Sequence, residues 1–172
     1  LIVPQLIWYE DWRNAYRKKR KLQRLIGHLQ RLAQKNFVLV FCPSIAFMER
    51  LEKAVGSFLK DRNIASVSAK DPARIEKVAA ARNAAYQILF TTTILERGVT
   101  FENVSVVVMG ADHGVFSKSA LVQIAGRVDR KGAFNQGEVL FFYDQATLAI
   151  RKAVSAIKEM NRLAKEWSTD EM

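Results

Sequence analysis

Residues 37–44 run Phe37-Val38-Leu39-Val40-Phe41-Cys42-Pro43-Ser44, and they predict the first element of the fold. Five apolar residues in a row, with no polar residue between them, are typical of a strand that is covered on both faces of its sheet. Pro43 ends that strand, and the hydroxyl of Ser44 can cap the helix that we predict after it. A buried strand that leads directly into a helix is the repeating unit of α/β folds.

The same alternation of strands and helices extends along the chain. Further apolar runs predict strands at residues 64–68, 87–92, 104–109 and 138–143. Helical periodicity predicts helices at 9–35, 44–59, 71–85 and 117–128, and a final one through Ile150, Val154, Ile157, Met160, Ala164 and Trp167. Trp8, Trp12 and Tyr16 stand four residues apart, so we expect an aromatic stripe on the first helix. Such alternation predicts a parallel sheet whose active loops leave the carboxyl ends of the strands.

Length and composition suit one folded domain. The chain has 172 residues, of which 49% are hydrophobic and 26% charged. No apolar run approaches the roughly 20 residues of a membrane-spanning helix, and we identify no signal peptide. The first residue is not Met, so we expect a piece of a longer protein. One cysteine and two separated histidines form neither a zinc site nor a disulfide framework, which predicts a cytoplasmic location and no bound metal.

Positive charge is concentrated in the first helical segment. The chain has 27 Lys and Arg against 17 Asp and Glu, a formal net charge of +10. Residues 10–35 hold nine basic and two acidic residues, whereas the remainder holds 18 basic and 15 acidic residues. A concentrated basic patch is the electrostatic footprint of a polyanion-binding surface, although a solvated helix face can have the same composition.

The strongest chemical motif is Gln123-Ile124-Ala125-Gly126-Arg127-Val128-Asp129-Arg130. On a helix, Gln123, Arg127 and Arg130 share one face because they are four and three residues apart. Guanidinium groups stay charged at any working pH, and their planar forks match phosphate oxygens. The motif therefore indicates a phosphate-binding face, with a salt-bridged and solvated helix end as the alternative.

A second motif, Thr91-Thr92-Thr93-Ile94-Leu95-Glu96-Arg97-Gly98, follows a predicted buried strand. Hydroxyl and backbone N–H groups at such a turn can hold phosphate, and Gly98 permits a close backbone approach. The alternative is a threonine-rich strand end with a capping role. The sequence contains neither a G-x-x-x-x-G-K-[ST] phosphate loop nor a G-x-G-x-x-G dinucleotide loop, which argues against a Rossmann-type small-molecule enzyme.

In this order and spacing, the motifs resemble those of the second RecA-like domain of superfamily 2 helicases. The segment from Phe41 to Ser44 is similar to motif IV, residues 92–98 to motif V, and residues 123–130 to motif VI. The resemblance implies a RecA-like three-layer α/β/α domain with a mainly parallel central sheet. It divides the chain into residues 1–36, a strand and a basic helix packed on the domain, and residues 37–172, the helicase domain itself.

Within that superfamily, the chain resembles the ComFA family of bacterial competence proteins. The residues that carry this likeness are Lys70-Asp71-Pro72 with Arg74, the segment 91–101, and Asp112-His113. The PriA family of replication-restart helicases is the competing resemblance. The basic, aromatic-containing segment before Phe37 is compatible with both families.

The helicase resemblance also implies roles for individual residues. Arg127 and Arg130 would be catalytic and would reach the γ-phosphate of ATP bound to a preceding motor domain, with Arg130 as the arginine finger. The residues implied to line the ATP-binding cleft are Gln123, Gly98 and Gly126. The residues implied to hold the DNA backbone, without reading its sequence, are Ser44, Thr92, Arg97 and Lys70.

Together these roles imply the C-terminal motor domain of an ATP-dependent single-stranded DNA translocase or helicase that drives DNA uptake in transformation. ATP and Mg²⁺ would be held mainly by a preceding RecA-like domain of the same chain, so this piece alone would be inactive. The implied partners are single-stranded DNA, that preceding domain and membrane-side DNA-uptake proteins. The implied location is the cytoplasm or the inner face of the membrane. The alternatives are a PriA-like helicase domain and a nucleic-acid-binding module without a motor role.

Overall fold

The computed structural model describes residues 1–92, 101–128 and 137–170, with side chains up to Trp167. Its strands are β1 (Gln5–Trp8), β2 (Phe37–Phe41), β3 (Ile64–Val67), β4 (Ile88–Thr91), β5 (Val104–Met109) and β6 (Val139–Tyr143). They form one sheet in the order β1-β6-β5-β2-β4-β3, and each neighbouring pair is parallel. The prediction of a mainly parallel sheet is confirmed.

Helices cover both faces of this sheet. They are α1 (Lys19–Ala33), α2 (Ile45–Phe58), α3 (Arg74–Arg82), α4 (Lys118–Ala125) and α5 (Leu148–Asp170). Helices α1 and α2 pack on one face of the sheet, and α3, α4 and α5 pack on the other. The arrangement is the predicted three-layer α/β/α fold.

Strand β2 lies inside the sheet, and its side chains alternate between the two helical layers. Val38 and Val40 belong to the core beneath α1 and α2, whereas Leu39 and Phe41 belong to the core of the opposite layer. These four residues are fully buried, which confirms the inference from their uninterrupted apolar character. Burial continues to Cys42, and it raises the pKa of the Cys42 thiol.

The helix predicted from residue 9 begins ten residues later, at Lys19. Strand β1 ends at Trp8, and a short 3-10 helix (Trp12–Asn14) follows it. Asp11 has a φ of 55°, a left-handed conformation that interrupts helical backbone. The predicted aromatic stripe was therefore wrong, since Trp8 is exposed on a strand while Trp12 is buried in the 3-10 helix. Trp8 and Trp12 are four residues apart because one ends a strand and the other begins the 3-10 helix after the intervening turn.

The segment after β1 is held against the carboxyl ends of β5 and β6. The indole Nε1 of Trp12 donates a hydrogen bond of 2.9 Å to the Asp112 carboxylate. The same carboxylate accepts hydrogen bonds from the backbone N–H groups of Asp144 and Gln145. The Trp12 ring lies directly against Gly110, which has a φ of 75°. Asp112 thus joins the loops that leave three different strands.

His28 on α1 is partly buried against β6, where its ring meets Phe142 edge-on at 5.5 Å between centroids. Burial lowers the pKa of His28, the neighbouring Arg31 and Arg24 lower it further, and Glu138 acts in the opposite direction. An unfolded histidine has a pKa of about 6.5. Between that value and the lower folded-state pKa, the unfolded chain binds more protons than the folded chain does.

We therefore expect the free energy of unfolding to fall as the pH drops below about 6.5 and to level off below the folded-state pKa of His28. Urea unfolding measured between about pH 7.5 and 5 tests this. The His28→Gln variant should lose this part of the pH dependence, and the His113→Gln variant, as the matched control, should retain it. Identical pH profiles for the wild type and His28→Gln would contradict the prediction.

Candidate nucleic-acid and nucleotide interface

Three of the predicted DNA-contacting residues follow three adjacent strands. Ser44 comes after β2, Thr92 after β4 and Lys70 after β3, and β4 lies between the other two strands. The strands end level with one another, because the last residues of β2 and β3 both pair with Thr91, the last residue of β4. Neighbouring strands lie about 4.8 Å apart, so the three strand ends span about 10 Å. The structure therefore brings these residues to one short stretch of the carboxyl edge.

Ser44 caps helix α2. Its Oγ accepts a hydrogen bond of 3.2 Å from the backbone N–H of Phe47, which confirms the predicted cap. Ser44 is exposed, and a serine hydroxyl that accepts one hydrogen bond still has a proton to donate. The side chain can thus cap the helix and donate to an oxygen atom in solution at the same time.

A tight loop after β3 positions Lys70. The neighbouring Asp71 accepts a hydrogen bond of 2.9 Å from the backbone N–H of Ala73 and forms an ion pair of 2.6 Å with Lys77. Lys77 also donates to the carbonyl oxygen of Ser66, at 2.9 Å. The hydrogen bond from Lys77, and then the one from Ala73, lowers the pKa of Asp71. The loop therefore keeps its charged closure at neutral pH and presents Lys70 to solvent.

Lys77 is a positioning residue that the sequence analysis did not identify. Asp71 was expected to start a helix, and Lys77 lies in α3 close enough to that start to reach the carboxylate. The helix begins only at Arg74, and Asp71 does not cap it. The signal in the sequence was therefore an aspartate followed six residues later by a lysine. Nothing in the local sequence shows that the same lysine also bonds to strand β3.

Thr92 lies at the end of β4 and is 9% exposed. The Thr91 hydroxyl donates to the carbonyl oxygen of Thr92, at 3.3 Å. The backbone N–H of Cys42 donates to the Thr91 carbonyl, at 2.8 Å, which ties the end of β2 to the end of β4. Only a small part of Thr92 therefore reaches solvent. Hydrogen bonds of the neighbouring Thr91 hold the backbone at this strand end in place.

The first part of the predicted phosphate-binding face lies on α4. Ser117 caps this helix by accepting from the N–H of Ala120, and Gly126 forms its C-cap. Gln123 is exposed on its last turn, and its amide donates to the Ser119 hydroxyl at 3.5 Å. The helix ends earlier than the predicted residue 128, because the chain tightens into a turn beyond Ala125.

Arg127 follows α4 in this turn. Its backbone N–H donates to the carbonyl oxygen of Ile124, at 3.1 Å, and the residue is partly buried with its Nη2 atom fully covered. Three other predicted site residues lie outside the described residues, namely Arg97, Gly98 and Arg130. The structure therefore locates Gln123, Gly126 and Arg127 and leaves the roles of all six as predictions.

The described residues contain no group of three or more His, Cys, Asp and Glu side chains that could hold a metal ion. The acidic residues around the carboxyl edge have other partners. Asp71 pairs with Lys77, and Asp112 accepts hydrogen bonds from Trp12 and from the loop after β6.

The fold and the order of these residues agree with one protein class. Residues 17–132 match the family model of the helicase conserved C-terminal domain. The structure of Dbp5 from S. cerevisiae, bound to RNA and ADP BeF3, superposes on 91% of this chain and 39% of that chain with a TM-score of 0.63 at 16% identity. The chain belongs to the helicase conserved C-terminal domain family and is a C-terminal domain of a superfamily 2 helicase.

More specifically, the chain is similar to the competence protein ComFA. Over 165 residues it is 37% identical to ComFA of Streptococcus pneumoniae and 38% identical to ComFA of Bacillus subtilis. These matches cover 95% and 94% of this chain but only 38% and 35% of the two relatives. The chain thus spans well under half the length of the relatives that it matches.

Proposed function

We propose that the chain is the C-terminal motor domain of an ATP-dependent single-stranded DNA translocase that drives DNA uptake during transformation. The observation that carries the proposal is the row formed by Ser44, Thr92 and Lys70 at the ends of three adjacent strands. A serine hydroxyl, a threonine hydroxyl and a lysine ammonium can all donate to phosphate oxygens. The similarity to two competence proteins supports the process in which the motor acts.

In the proposed interface, Ser44, Thr92 and Lys70 contact the backbone of the strand, and Arg97 adds a further positive charge. Contacts with phosphate and sugar carry no sequence information, which suits a motor that must move along any sequence. The loop closed by Asp71 and Lys77 keeps Lys70 in place while the strand moves.

The nucleotide side of the proposal rests on the residues at and after the end of α4. ATP and Mg²⁺ would be held mainly by a preceding RecA-like domain, with Gln123, Gly126 and Gly98 on the facing side of the cleft. The donor chemistry fits, because the partly buried Arg127 guanidinium matches a phosphate group in charge and shape. Hydrolysis of the bound nucleotide supplies the free energy for movement. Arg127 and Arg130 stabilise negative charge on the transferred phosphoryl group. Because ATP and Mg²⁺ are held mainly by the preceding domain, the isolated piece would not turn over ATP.

The proposed partners are single-stranded DNA, the preceding motor domain and membrane-side DNA-uptake proteins. No helix in the described ranges has the length and apolar character needed to cross a membrane. We propose that the motor acts in the cytoplasm or at the inner face of the membrane. The similarity to competence proteins favours this function over replication restart.

A negative charge introduced at Ser44 tests the DNA-binding row in the full-length protein. Asp and Asn cap helices about as well as Ser, so both variants should keep α2 intact. Ser44→Asp should weaken binding of single-stranded DNA by about tenfold, because the carboxylate would face phosphate, whereas the matched Ser44→Asn variant should bind much more strongly than Ser44→Asp. The measurement is the DNA dissociation constant, with thermal unfolding as the check on folding. Equal affinity for wild type, Asn and Asp would remove Ser44 from the interface.

A further inference from the structure

Three arginines rest on aromatic rings beside the start of α2. The Arg13 guanidinium lies 4.4 Å from the centre of the Trp12 ring, and those of Arg17 and Arg50 lie 5.3 and 5.7 Å from the centre of the Tyr16 ring. Arg50 also donates a hydrogen bond of 3.1 Å to the Tyr16 hydroxyl. Arg13, Arg17 and Arg50 are termed the arginine cluster below.

The arginine cluster keeps its positive charge uncompensated. All three side chains are exposed, and none of them forms an ion pair with a carboxylate of the described residues. By contrast, Lys18 in the same segment is paired with Asp11. Contact with an aromatic face restrains a guanidinium group without neutralising it. The cluster is therefore a set of three restrained charges that are available to an anion.

Phe47 places the arginine cluster next to the proposed DNA-binding row. Its ring meets the Trp12 ring edge-on at 5.4 Å between centroids and the Tyr16 ring at 6.1 Å. The backbone N–H of the same residue donates to the hydroxyl of Ser44. Phe47 thus contacts both Ser44 and the two rings on which the cluster rests. These rings lie on the side of the sheet where α1 and α2 pack.

The surface around the cluster is polar. The apolar residues of α1 are buried, namely Leu22, Leu25, Ile26, Leu29 and Leu32. Its exposed positions include Lys19, Arg20, Gln23 and Arg24. A helix that binds a lipid surface needs exposed apolar side chains to insert, and this face of α1 lacks them. The chemistry fits a hydrated polyanion better than a membrane.

We infer that the arginine cluster binds phosphates of the DNA single strand beyond Ser44 and so extends the binding row onto α2 and onto the segment between β1 and α1. The inference rests on the proposed function, since it concerns the same strand. Arginine forks hold phosphate oxygens in two parallel hydrogen bonds, and pre-stacked forks lose little conformational freedom on binding. The cluster accounts for part of the excess charge in residues 10–35.

The test is the triple variant Arg13→Ala, Arg17→Ala, Arg50→Ala in the full-length protein. Each phosphate contact with a single strand contributes about 0.7 to the slope of log affinity against log salt, so the slope should fall in magnitude by about 2. Affinity for long single-stranded oligonucleotides should fall roughly tenfold. Affinity for oligonucleotides too short to reach past Ser44 should not change. As the oligonucleotide is lengthened beyond Ser44, the affinity of the wild type should therefore rise and that of the variant should not.

A matched control removes the same number of charges from the opposite layer, in the triple variant Arg82→Ala, Arg151→Ala, Lys152→Ala. These side chains are exposed on α3 and α5, and the control should bind long oligonucleotides nearly as the wild type does. A second test variant replaces the three arginines of the cluster by lysine. It should keep the salt slope and still lose affinity for long oligonucleotides, which tests the forks if the alanine variant does not fold.

The outcomes separate this inference from the proposed function. If Ser44→Asp weakens DNA binding but the arginine-cluster variant behaves as the charge-matched control does, the inference alone is overturned. If neither affects DNA binding, the proposed interface is overturned as well. If the arginine-cluster variant loses binding to vesicles with anionic lipid while its DNA binding is unchanged, the surface contacts membrane and the inference is again overturned.

Discussion

We expect the Arg130→Ala variant of the full-length protein to hydrolyse ATP at least about a hundredfold more slowly than the wild type in the presence of single-stranded DNA. An arginine finger stabilises the charge that develops on the transferred phosphoryl group, and such residues are worth roughly 10³–10⁵ in rate. Arg127 would remain in the variant and could compensate in part. For this reason the smallest loss that we expect, about a hundredfold, is less than the lower end of that range.

Steady-state ATP turnover with and without single-stranded DNA is the measurement. DNA affinity should survive, since Arg130 is not among the residues proposed to hold the strand. Arg162→Ala serves as the control, because it removes an arginine that is paired with Glu159 and Glu166 on the exposed face of α5. An unchanged turnover rate in Arg130→Ala would remove this residue from catalysis and favour a basic DNA-binding module without a motor role.

The second large effect concerns stability, and we expect Gly110→Ala to lower the free energy of unfolding by about 3 kcal/mol. With a φ of 75°, Gly110 has a conformation that costs an alanine roughly 1 kcal/mol or more. An added Cβ would lie 2.5 Å from Cζ2 of Trp12. The indole cannot move aside easily, because it is 1% exposed and bonded to Asp112. Overpacking of this kind costs about 1–3 kcal/mol on its own.

Urea unfolding of Gly110→Ala and Gly114→Ala compares two glycines of the same loop. At Gly114 an added Cβ meets no atom within 4 Å, and the expected change there is within about 0.5 kcal/mol. A Trp12→Ala substitution in the Gly110→Ala background should cost less than the same substitution in the wild type, because the clash is then removed. Equal unfolding free energies for the two glycine variants would contradict the proposed packing.

Most strands were predictable because each is a short run rich in apolar residues, although Ser66 interrupts β3 and Ser105 interrupts β5. Residues 104–109 form β5 with the predicted bounds, and β2 has the predicted burial on both faces. The helix predicted from residue 9 was wrong because its pattern depended on Trp8, Trp12 and Tyr16. Periodicity alone cannot distinguish a helical stripe from a strand end followed by a turn. The division at residue 36 and the roles of Arg97, Gly98 and Arg130 stay predictions.

The residues of the candidate site could be predicted from the sequence, but their arrangement on one surface could not. Ser44, Thr92 and Lys70 were named because the helicase resemblance implied their role, and each of them follows a predicted strand. Their adjacency depends on the strand order, in which β4 lies between β2 and β3. The excess charge near the amino terminus was visible in the sequence, but the stacking of Arg13, Arg17 and Arg50 on rings was not.

The sequence by itself determined the layered α/β class, the motifs and the concentration of charge, since all of these are local patterns of residue type. Only the tertiary structure decided which patterns meet. Arg50 reaches Tyr16 across 34 residues, and Trp12 reaches Asp112 across 100 residues. Contacts between such distant residues depend on how strands are ordered and helices packed, and local periodicity carries no information about either. That packing sets the three arginines of the cluster beside Ser44.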